Sequence, residues 1–114
     1  MKVVDLSAFL DMPIGTVFQK YQPHVFDHLQ TYEGRLGQDF LTGDFSFEPI
    51  SGDSPTQAHA ILETLAEKGE SHPVEFDNIG RDALFDKGQM FAVWEPDDVR
   101  ALIAHLQRAL PEAA

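Results

Sequence analysis

From Thr16 to Tyr21 the chain alternates, with Val17, Gln19 and Tyr21 on one side and Thr16, Phe18 and Lys20 on the other. That period of two predicts a half-buried β-strand, closed by Pro23. Before it, LSAFLDM places Leu6, Phe9 and Leu10 at helical spacing behind Asp5, a capping residue, and Pro13 and Gly15 end the pattern. After it, VFDHLQTY predicts a second strand and EGRLGQ a glycine-bearing turn. DFLTGDFSF predicts a third strand, with Gly43 as a candidate bulge. The run reads as an antiparallel meander.

The pattern then changes period. EPISGDSPTQ is a loop that opens a helix: Ser54 suits the N-cap, Pro55 the first helical position and Gln57 the reciprocal capping partner. Ala58, Ile61, Leu62 and Leu65 form its apolar stripe, and Gly69 ends it. HPVEFDN predicts a short strand, NIGRDALFDKGQ a connector, and MFAVWE a central strand that is apolar at nearly every position. Pro96 starts the last helix, Asp97 and Asp98 complement its dipole, and Val99, Leu102, Ile103, Leu106 and Leu110 share one face. The expected fold is α+β, one compact domain over residues 1–114. It has about five mostly antiparallel strands and two amphipathic helices covering one face of the sheet. Val99, Leu102, Ile103 and Leu106 are expected to pack on the strand that holds Phe91 and Val93.

Composition sharpens this picture in two places. The 114 residues are 43% hydrophobic with nine Phe, enough for one modest core, and no apolar run approaches the roughly 18 residues of a membrane span. The opening MKVVDLSAFLDMP carries two acids in its first apolar stretch, unlike a secretory signal. With no Cys there is no disulfide and no thiolate chemistry, which suits a cytoplasmic protein. The net charge is −11, and no Lys or Arg lies between Arg35 and Lys68. Asp39, Asp44, Glu48, Asp53, Glu63 and Glu67 all fall in that span and are the expected partner-contacting residues. Such a surface repels nucleic acid and anionic lipid and attracts a basic protein.

Candidate chemistry is sparse. Arg81, Asp82 and Asp86 could bind an anion and manage a proton. No His, Ser or Lys completes a triad with them, so a salt-bridged connector is the favoured reading. His24 and His28 stand at i and i+4, but on a strand they lie about 13 Å apart, so no metal site is expected. The glycines of EGRLGQ lack the Gly-Lys-Ser ending of a phosphate loop. Phe40, Phe45 and Phe47 suit core packing better than base stacking, given the acids around them. Trp94 suits the core or an interface anchor. No catalytic residue and no cofactor are expected.

Two stretches carry a resemblance. MPIGTVFQKYQP resembles a Pro-x-Gly-Thr-x-Phe-x-x-Tyr-x-Pro opening, and RDALFDKGQMFAVWEPDDVRALIAHLQ resembles a closing block of strand, acidic turn and helix. Both look like small proteins carried by phages and integrated elements in bacteria. The resemblance implies a mobile-element setting, in which short acidic proteins act as inhibitors of host defence, such as anti-CRISPR proteins. A CRISPR effector grips nucleic acid in a Lys- and Arg-lined channel, and acids that imitate phosphate positions suit that channel. The alternatives are an immunity protein that neutralises a basic nuclease toxin, a small enzyme using Arg81, Asp82 and Asp86, and a homo-oligomeric assembly protein.

Overall fold

The computed structural model describes residues 1–45 and 49–111. Along the chain run β1 (Lys2–Val4), α1 (Leu6–Leu10), β2 (Val17–Gln22), β3 (Val25–Phe26), β4 (Gln30–Leu36) and β5 (Asp39–Asp44). They are followed by α2 (Pro55–Lys68), β6 (Ile79–Arg81), β7 (Met90–Val93) and α3 (Pro96–Gln107). The protein is α+β. Among the described residues seven strands form one sheet in the order β1-β7-β2-β4-β5-β6, with β3 on β2, and every pairing is antiparallel.

Register decides which side chains meet. Val4 faces Phe91, Phe18 faces Val93 and Gln30, and Tyr32 faces Thr42, so these residues lie on one face of the sheet. α1 lies over that face. Its N-cap Asp5 accepts a hydrogen bond from the Ala8 amide at 2.9 Å, and Phe9 points into the centre. The Phe9 ring stacks on Phe91 at 3.9 Å between centroids. It meets Phe18, Tyr32 and Phe40 edge-on at 4.6, 4.9 and 5.1 Å, separations and angles that favour aromatic pairs. Tyr32 Oη, buried in this cluster, donates to the Leu10 carbonyl at 2.7 Å, so the phenol is satisfied.

The two long helices are not the cover that the pattern predicts. Neither α2 nor α3 contains a buried residue. Val99 and Leu102 are half-buried, while Ile103 and Leu106 are 52% and 57% exposed; the partner of Phe91 is Phe9, not α3. A helical apolar stripe states that a face can be buried but not what buries it. The radius of gyration, 16.4 Å, exceeds the roughly 13 Å of a tightly folded chain of this size.

Other differences have local causes. β1 has only three residues, too few to show alternation, and it forms because β7 offers it a free edge. The expected second strand divides into β3 and β4. β4 then runs through the expected turn, with a bulge between Tyr32 and Gly34. The turn itself is Gly37–Gln38, where the positive φ of Gly37 suits the first position of a two-residue hairpin loop. Gly43 is not a bulge: a Cβ there would lie 2.6 Å from Thr31 Oγ1, so the position holds Gly for close packing. The sixth strand forms at Ile79–Arg81 and not in HPVEFDN, whose Pro73 lacks an amide to donate. The end of the expected third strand, residues 46 and 47, lies outside the described residues.

Phe9→Ala should destabilise the protein by about 3–5 kcal/mol. Leu106→Ala, at an exposed position, should change stability by less than about half a kcal/mol. Urea denaturation of the two variants measures both, and equal effects would show that α1 does not seal the core.

Candidate functional site

The loop before α2 is held by a carboxylate from a distant segment. Glu75 accepts the Ser51 hydroxyl at 3.0 Å and the amides of Ser51 and Gly52 at 3.3–3.4 Å. Its own amide donates to the Pro49 carbonyl at 2.7 Å. The Ser51 hydroxyl, then the two amides, hold the Glu75 carboxyl below the usual carboxylate range, against the opposing effect of burial. Ser54 caps α2 by accepting from the Gln57 amide at 3.1 Å, while the Gln57 side chain accepts from the Asp53 amide, one residue earlier than a regular capping box. Gly52 is required here. Its φ is +63°, and a Cβ would lie 3.1 Å from the Ala58 amide nitrogen.

The acidic residues singled out above do not share one environment. Asp53, Glu63 and Glu67 are exposed, on the loop before α2 and on α2 itself, and Glu63 lies 2.8 Å from His59 Nε2. Asp44 ends β5, half-buried, with Oδ2 3.6 Å from His28 Nε2. Glu48 lies outside the described residues. Asp39 does not belong to any outer surface. It is 1% exposed, because β6 and the connector after it close over its carboxylate.

That carboxylate organises the Arg81–Asp86 connector. Asp39 Oδ2 accepts from Arg81 Nε at 2.8 Å and Oδ1 from the Ala83 amide at 2.9 Å. The Asp82 amide continues the ladder to the Phe40 carbonyl at 3.0 Å, and the Asp82 side chain pairs with Lys20. Asp86 accepts from the Gly88 amide at 2.9 Å and closes the next turn. Ala83 and Phe85 take positive φ, 59° and 52°, a strained conformation that these anchors offset. Burial pushes the Asp39 carboxyl up, but the Ala83 and Phe40 amides and Arg81 together outweigh it and hold the group below its ordinary value. Arg81, Asp82 and Asp86 thus reach three different partners; Asp82 and Asp86 line one small cavity with Lys20, and Arg81 does not line it.

His24 sits in the Pro23–His24 turn with φ 69°, and His28 Nδ1 lies 2.8 Å from Asp27 Oδ1. His24 lies in the turn between β2 and β3, and His28 in the link between β3 and β4, so the two do not share one strand. Among the described residues no group of three His, Asp or Glu is arranged to hold a metal ion. Trp94 is half-buried and donates to Gln19 Oε1 at 3.0 Å. It lines a 380 Å³ concavity between Pro13–Val17 and Val93–Pro96, where the two stretches that carry the resemblance meet. Glu75 is the residue that sequence reasoning missed. The groups that donate to its carboxylate lie 23 and 24 residues earlier, and no local pattern signals a contact of that range.

Comparison with protein-family models, curated proteins and solved structures finds no match to this chain. Among the described residues no helix is long and apolar enough to cross a membrane.

The Asp39 anchor has a definite pH signature. A carboxyl whose folded pKa is depressed contributes stability above its unfolded pKa of about 4, and the contribution disappears as pH falls through the lower folded value. Asp39→Asn should therefore lower the urea midpoint at neutral pH, and the gap from the parent should close below about pH 4. A gap independent of pH would show that the carboxylate charge contributes nothing to the anchor.

Proposed function

We propose that this chain is a non-enzymatic acidic binding protein that docks on the basic surface of a nucleic-acid-processing enzyme in the cytoplasm, foremost a CRISPR effector, and inhibits it. One observation carries the reading. The stretch without Lys or Arg places Asp53, Glu63 and Glu67 in solvent on the rim and length of α2, a helix that buries none of its residues. Solvated carboxylates on a protein of net charge −11 raise the encounter rate with a basic partner and disfavour acidic ones. Arg81, Asp82 and Asp86 are each engaged, with Asp39, Lys20 and the Gly88 amide, which supports their reading as a salt-bridged connector. The mobile-element resemblance supports the choice of effector. An immunity protein against a basic nuclease toxin would use the same surface.

Competition tests the proposal: the protein is titrated against a purified CRISPR effector and its target DNA, and in parallel against a basic nuclease. Inhibition of the effector should weaken as salt rises. The triple substitution of Asp53, Glu63 and Glu67 to Lys should abolish it while each change alters fold stability by less than about half a kcal/mol. The proposal fails if neither enzyme is inhibited, or if the triple variant inhibits as well as the parent.

A further inference from the structure

An open groove of about 690 Å³ runs between the loop pinned by Glu75, the first turns of α2 and Asn78. Its apolar surface comes from Ile50, Pro55, Ala58 and Leu62, and Leu62 is 49% exposed. Ala58 and Leu62 stand at i and i+4 and share one face of α2. Asp53 lies in the groove wall with His59, and Glu63 follows Leu62 on the helix with one carboxylate oxygen 2.8 Å from His59 Nε2; no Lys or Arg lines the groove.

We infer that this groove is a docking site for a short basic amphipathic segment of a protein partner. An apolar side chain seats on Ile50, Pro55, Ala58 and Leu62, and flanking Lys or Arg residues reach Asp53 and Glu63. The inference rests on the proposed binding of a basic enzyme and locates the contact. Two features support a built site over a chance concavity. The first is charge complementarity: an apolar anchor alone would suit many partners, but an apolar floor with Asp53 in its wall, Glu63 beside it and no Lys or Arg favours a cationic one. The second is preorganisation. Glu75 holds Ser51 and Gly52 from one side, and the Ser54–Gln57 cap holds the helix start from the other. The groove wall is therefore ordered before a partner arrives, which lowers the entropy lost on binding.

The test is an amide chemical-shift titration of the full chain with a short synthetic helical peptide that carries Leu at i and i+4 among Arg residues. Saturable shifts should fall on Ile50–Ser54, Ala58, Leu62 and Asn78. Replacing the peptide's Leu by Ser, or Leu62→Ser in the protein, should weaken binding about tenfold or more. Asp53→Lys should also weaken it, and a peptide with Glu in place of Arg should not bind. Unchanged shifts of Phe9 and Phe91 in each variant establish that the core is intact. Shifts mapping elsewhere overturn the inference, as does equal binding of the Leu-free peptide. Groove shifts that grow with protein concentration alone also overturn it, since a second copy would then be the occupant. None of these outcomes depends on the partner being a nucleic-acid enzyme, and whether the parent protein inhibits an effector or a nuclease does not depend on the groove, so the two failures are distinguishable.

Discussion

Phe9 is the constraint on which the rest of the fold depends. One ring from a five-residue helix touches an aromatic from each of β2, β4, β5 and β7. Each strand can deliver its ring only in one register, since a slip by one residue turns the side chain to the opposite face. The cluster therefore couples strands far apart in the chain. β7 is drawn between β1 and β2, and the meander β2–β4–β5 is aligned by the same contact. A small cover suffices because large flat rings remove much apolar area from water with few torsions to freeze.

Outside that cluster the work of fixing loops falls to carboxylates. Asp39 gathers Arg81 and the Ala83 amide, and Glu75 gathers Ser51 and Gly52. Each brings a segment without regular structure onto an edge of the molecule, and each has its charged form favoured by donors. For function the consequence is a division of the acidic residues. Some are internal fasteners whose charge is compensated, and others, on α2 and its entry loop, remain in solvent where a partner can meet them. A count of acids along the chain cannot make that division.

α2 and α3 show a related limit of pattern reading. Their starts were legible: Ser54 and Pro55 for α2, with Gly69 at its end, and Pro96 followed by Asp97 and Asp98 for α3; the Asp98 bond to the Glu95 amide was not, and α3 ends at Gln107, short of the Leu110 that the stripe included. These signals are local, carried by hydrogen bonds within a turn. Their apolar stripes were legible too, but the identity of what covers a stripe is set by distant chain, and here α1 has already taken the core face of the sheet. Exposed apolar positions on α2, such as Leu62, are therefore the ones that the proposed docking site draws on.

By itself the sequence determined the α+β class, the strands at 17–22 and 90–93, the three helices and the acidity of the span from 36 to 67, because periodicity, caps and charge are properties of neighbouring residues. Only the tertiary structure decided the seven-strand order, the edge strands β1 and β6, the burial of Asp39 and the groove beside Leu62. Each of these rests on contacts between residues distant in the chain. Asp39 and Glu63 carry the same charge in the sequence, and what separates them is whether Arg81 and an amide arrive from more than forty residues away.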